Sequence, residues 1–112
     1  MPKTRGGGSA FSNVSSNSLS LGIATKTSAY TLTGNDYTIL ADATTGAFTV
    51  TLPVAPAHGM LVNVKKIDAS ANVVTINGNG RNIDRVATRQ IGSQDTNSQM
   101  QYNSSSNAWY VL

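Results

Sequence analysis

His58 is the only histidine of the 112-residue chain and stands in Pro56-Ala57-His58-Gly59, between two apolar stretches. A Ser-His-Asp relay needs its imidazole held between a serine hydroxyl and a buried carboxylate. Serine is so abundant here that spacing selects no partner for His58, which reads as a solvated loop residue. The acids are Asp36, Asp42, Asp68, Asp84 and Asp95, with no glutamate. Glycoside hydrolysis requires two carboxylates at a set separation across a sugar, one with a raised pKa. Asp36 and Asp42 instead adjoin turn signals, where Asp bonds its own backbone. One histidine and scattered aspartates give no metal-ligand spacing, and the absence of cysteine removes thiolate sites, disulfides and cysteine nucleophiles. Gly78-Asn79-Gly80 opens like a phosphate-binding loop, but Arg81-Asn82 continues neither the dinucleotide nor the Walker pattern, so it reads as a turn. No catalytic residue, metal ligand or cofactor is assigned, and the chain is expected not to be an enzyme.

Residues suited to contacts are easier to find. Arg81, Arg85 and Arg89 recur every fourth position and share strand parity, which predicts one face. That face is either solvated or meets a second subunit or a partner, where guanidinium grips carboxylates at two points. No aromatic residue interleaves with these arginines, so bases find no stacking platform, and a net charge of +3 does not make nucleic acid an expected partner. Lys65-Lys66 puts one cation on each face of a strand, so one must reach a surface or an interface. Tyr102, Trp109 and Tyr110 gather near the C-terminus as a core or interface cluster, with a sugar-stacking surface as the other use. Trp109 and Tyr110 are the candidate contacts of that group.

Strands must position these side chains. Ser, Thr and Asn make up about a third of the chain and helix formers are scarce. Ala47–Leu52 alternates cleanly, with Phe48, Val50 and Leu52 on one face, until Pro53 ends it. Met60–Ile67 and Asn72–Ile76 are expected to pair as a hairpin, and Ser98–Tyr102 and Ala108–Leu112 as another. Strands are also expected at Ser28–Thr33, Asp36–Ala41, Asn82–Asp84 and Arg89–Gly92. The fold class is therefore all-β: a small sandwich or barrel-like module of short antiparallel strands over residues 28–112. Its expected core is Phe48, Val50, Leu52, Val62, Val64, Val74 and Ile76. Residues 1–27 are expected to form an extended Gly/Ser-rich N-terminal arm, and the composition of residues 1–22 cannot offset its own ordering entropy. Alone it is expected to be flexible; its proposed contacts are Lys3 and Arg5 as charges and Phe11, Leu19 and Leu21 as apolar anchors. No apolar run approaches a membrane span, and no secretory signal is recognisable.

Residues 29–112 resemble a module of bacteriophage virion proteins, carried by tail fibres, head fibres and capsid-decoration proteins. The shared elements are the strand Tyr37–Leu40 with Asp42, the Thr49–Pro53 strand, the Lys65–Ile76 stretch, Ile83-Asp84 after a Gly/Asn turn, and the terminal Trp109-Tyr110. The resemblance implies a homotrimeric β-module that builds virion appendages and has no catalytic site. With an arm and one module, the chain is expected to be a capsid decoration (cement) or short head-fibre protein on the phage head, anchored to the major capsid protein. The alternative is a tail-associated fibre or adhesin that binds host surface glycan; neither membrane nor nucleic acid is an expected partner.

Overall fold

Alternating apolar and polar residues commit this chain to strands, and its short polar breaks decide how far each one runs. The computed structural model describes residues 18–112, among which nine strands and no helix form. They are β1 (Ile23–Lys26), β2 (Tyr30–Thr31), β3 (Thr38–Ala41), β4 (Phe48–Thr51), β5 (Leu61–Lys66), β6 (Val74–Asn77), β7 (Thr88–Ile91), β8 (Asn97–Asn103) and β9 (Ala108–Val111). The first sheet has the order β1-β3-β5-β8-β9 and the second β2-β4-β6-β7.

The chain changes sheet at every step from β1 to β6. Strands β1, β3 and β5 therefore run parallel in one sheet, and β2, β4 and β6 parallel in the other. The result is three stacked coils, each giving one strand to each sheet. This corrects the expected antiparallel module. In particular, Asn72–Ile76 does not fold back onto Met60–Ile67, because β5 and β6 lie in opposite sheets. Parallel neighbours need a crossover, and here each crossover is itself a strand of the facing sheet. Antiparallel pairing appears only after the third coil, where β7 joins β6, β8 joins β5, and β8 and β9 form the terminal hairpin anticipated from sequence.

The core fills the space between the sheets. Val50, Leu52, Val62, Val64, Val74 and Ile76 are completely buried, as expected, whereas Phe48 packs against the core half-buried. Ile39, Ala41, Met100 and Trp109 are buried with them. Each large aliphatic side chain hidden in this way contributes about 1.5–3 kcal/mol.

The two ends of the first sheet differ, whereas β2 and β7 are both edge strands of the second. At the far end, Asn82 to Val86 folds over the outer edge of β9. The Trp109 N–H donates to the Asn82 carbonyl at 2.9 Å, the Asp84 N–H donates to the Trp109 carbonyl at 3.0 Å, and the Val111 N–H donates to Asp84 Oδ1 at 3.0 Å. Ile83 bridges both Val86 and Trp109 in place of the expected Asn82–Asp84 strand. At the near end β1 is an edge strand of its sheet. It lies within the stretch assigned to the arm; the remaining calls on the arm's first part, including Lys3, Arg5 and Phe11, fall outside the described residues.

Candidate functional site

Four places in the fold gather polar or exposed apolar side chains. The most ordered is internal. The inward parity of Val62 and Val64 continues through Lys66 and Asp68, both buried. Lys66 Nζ donates to Asp68 Oδ2 at 2.6 Å. Asp68 Oδ1 accepts the Ala43 N–H at 2.8 Å, and Oδ2 accepts the Ser70 N–H at 3.0 Å. The Ser70 hydroxyl lies between Asp68 and the Ala43 carbonyl, to which Asn72 Nδ2 donates at 2.8 Å. Lys66, Asp68, Ser70 and Asn72, each two residues from the next, thus clamp the turn after β3 to the loop after β5. Removal from water works against the Asp68 carboxylate, but Lys66, Ser70 and the two N–H groups outweigh it and hold its pKa well below the ordinary range. The expected hairpin of Met60–Ile67 with Asn72–Ile76 would make the residues between them a plain polar turn; they form this clamp instead. The missed signal was the polar period of two that carries on the inward face of β5.

The three arginines do not share a face. Arg81 sits in a bend, with Nε donating to Asn107 Oδ1 at 2.7 Å and a terminal nitrogen donating to the Val54 carbonyl at 3.0 Å. Its guanidinium lies 5.5 Å from the Tyr102 ring centre, so it ties the loop after β4 to the terminal hairpin. Arg85 is exposed in the turn Ile83-Asp84-Arg85-Val86, with φ of 47° at Asp84 and 71° at Arg85. Arg89 is exposed on β7. The expected stripe fails because the chain turns between each pair of arginines.

Trp109 is fully buried, its ring centre 5.3 Å from that of Tyr102, and therefore offers no surface to a partner or a sugar. That corrects its assignment as a contact residue. Tyr110 faces the opposite way and is exposed. It borders an open cavity of about 270 Å³ together with His58, Gln101, Asn103 and Leu112. His58 Nδ1 accepts the Ser104 N–H at 3.0 Å, with the Ser104 hydroxyl at 3.1 Å. This pair is the nearest approach to a nucleophile and its base. The Nδ1 lone pair is already engaged by the backbone, however, and both residues are exposed. Among the described residues no cluster of three or more His, Asp, Glu or Cys has the makings of a metal site.

Leu19, Leu21 and Ile23 form the fourth place, an exposed apolar row leading into β1. Leu19 and Leu21 also line an apolar groove of about 400 Å³ with Tyr37, Met60 and Leu61. No protein-family model matches the chain, and no curated protein matches its sequence.

Proposed function

We propose that this chain is a non-enzymatic structural protein of a bacteriophage particle, a capsid decoration or short head-fibre subunit that trimerises. Its N-terminal segment attaches it to the major capsid protein. The observation that carries this reading is the use made of the residues shared with the virion module. Lys66, Asp68, Ser70 and Asn72 are spent on the internal clamp. Val50 and Leu52 fill the core, and Ile83 and Trp109 close the far end. Residues whose work is architectural fit a protein whose product is an assembly. The small size of a single monomer core favours shared interfaces. Immunogold labelling of intact virions tests the reading: label over the head supports decoration, and label confined to the tail overturns it. Deleting residues 1–22 should abolish capsid binding; binding that survives the deletion rules out the anchoring role.

The cavity beside Tyr110 favours a second reading, a tail-associated adhesin for host glycan. An exposed aromatic ring next to amide and imidazole groups suits a neutral sugar. Under that reading Tyr110→Ala abolishes glycan binding while the fold survives.

A further inference from the structure

In the second sheet the register gathers one kind of side chain on the face turned away from the core. Thr31, Thr51, Asn77 and Thr88 stand side by side across β2, β4, β6 and β7, and Thr49, Thr75 and Gln90 form a second row across β4, β6 and β7. Val50 and Ile76, which alternate with them, are fully buried, so both rows point outward. No residue of either row is charged. Arg89, the one charged residue in these strands, stands opposite Ile76 and belongs to the other face. The threonine hydroxyls of the rows make no hydrogen bond among the described residues, and the Asn77 side chain accepts only the Asn79 N–H, at 2.8 Å. The outward face of the first sheet is different. There the Asn97 amide donates to Asn63 at 2.8 Å, Gln99 to the Tyr37 hydroxyl at 2.7 Å and Gln101 to the Gly59 carbonyl at 3.0 Å.

We infer that this face is a binding site for an uncharged polysaccharide lying extended across the strands. Nucleic acid and acidic polymers are gripped through cations, and the rows hold none. Protein interfaces concentrate their energy in Trp, Tyr and Arg, and the rows hold none of these either. What they offer is hydroxyl and amide groups that both donate and accept, the chemistry of a sugar's own hydroxyls. Neighbouring groups in a row lie about 4.8 Å apart, the spacing of strands, which is close to the advance per residue of an extended sugar chain. A polymer crossing β2, β4, β6 and β7 therefore meets a fresh hydrogen-bonding side chain at each sugar. Without an aromatic ring to stack on, each contact is weak, and affinity comes from several contacts made at once. Residues 18–22 lead into β1 of the opposite sheet, so the described chain begins on the far side of the core from this face. The inference needs neither the cavity beside Tyr110 nor a place on the head or the tail of a particle.

The test is affinity electrophoresis of the full-length chain in native gels cast with a neutral polymer (mannan, galactan or a soluble cellulose ether) and, for comparison, with anionic polygalacturonate. The wild type should be retarded by at least one of the neutral polymers. Thr51→Val and Thr75→Val remove a hydroxyl and keep the branched shape that strands favour, so both should fold, which thermal melts verify. Each should weaken retardation about fivefold, the worth of one hydrogen bond, and the double variant should lose more than either. Thr25→Val, an exposed position on the first sheet, should leave retardation unchanged. A wild type that no neutral polymer retards overturns the inference. Retardation by polygalacturonate alone overturns it too, because the net charge of +3 then accounts for the binding. Retardation that survives Thr51→Val with Thr75→Val but disappears in Tyr110→Ala assigns the sugar to the cavity and rejects the threonine face. A protein-only role for the face predicts no retardation at all and is decided by the same gels.

Discussion

Lys66 and Asp68 stand two residues apart and form a 2.6 Å ion pair inside the protein, at the point where β5 gives way to its loop. A buried pair adds little over a well-packed apolar one, yet losing one partner leaves the other charged and stranded. What the pair provides is placement. Asp68 reaches across to the Ala43 N–H, fixing the vertical spacing between successive coils.

Asp68→Ala should therefore destabilise the protein more than Lys66→Met. The first leaves an ammonium buried beside the Ala43 and Ser70 N–H donors, all of which have lost their acceptor; the second leaves a carboxylate that still accepts N–H bonds from Ala43 and Ser70. Asp42→Ala, which loses only two local bonds, from the Thr44 N–H and hydroxyl, should cost less than either. Urea unfolding of the three variants gives the order.

Acid should undo the clamp. Because the folded pKa of Asp68 is depressed, its contribution is full above the ordinary aspartate value of 3.8 and falls away as pH drops below it. Asp36, which accepts hydrogen bonds from Tyr30 and Thr33, acts in the same direction. Stability measured by denaturant titration should be level from neutral pH to about pH 5 and decline below that. Asp68→Asn should flatten the decline; an unchanged acid limb in that variant refutes the account.

Arg85 occupies the left-handed region, where an L-residue with a side chain costs about 1–2 kcal/mol. Arg85→Gly should raise unfolding free energy by about 1 kcal/mol. If Arg85 meets a partner, the same variant should bind that partner less well while being more stable, and the two effects are separable by calorimetry.

Glycines at the turns are not equivalent. A Cβ on Gly78 would overlap the Arg81 carbonyl oxygen, whereas one on Gly34 meets nothing. Gly78→Ala should open the turn after β6 and lower the melting temperature sharply. Gly34→Ala should melt with the wild type.

Trp109→Ala should cost about 3–5 kcal/mol, as for other large buried rings. Trp109→Phe should cost less than its lost volume suggests, because the buried indole N–H has no hydrogen-bond partner among the described residues. Thermal melts compare the two.

Alternation made the inward faces legible: Val50 with Leu52, and Val62 with Val64, follow from a period of two that needs no knowledge of neighbours. Pairing partners were not legible. A period of two says which face a residue takes but not which strand lies beside it, and short turns mimic hairpins even when the chain is crossing to another sheet. One of Lys65 and Lys66 was expected to reach a surface or an interface, but Lys66, the inward one, stays buried. It is paired in place by Asp68, because the inward parity outlasts the hydrogen-bonded strand by two residues. The arginines were misjudged for the opposite reason: equal spacing implies a shared face only within one element, and Arg81, Arg85 and Arg89 occupy three.

Strand β5 sits at the middle of its sheet, taking β3 on one side and, on the other, β8, whose Asn97 pairs with Lys65. During synthesis that second side stays bare until the chain has built β6, β7 and the loop that follows. Contacts so distant in sequence make folding slow, since loop closure must precede any return in bonds. A chain halted after β6 presents an unpaired central strand and the apolar floor of the core. Translation arrested there should yield aggregates rather than a smaller folded protein.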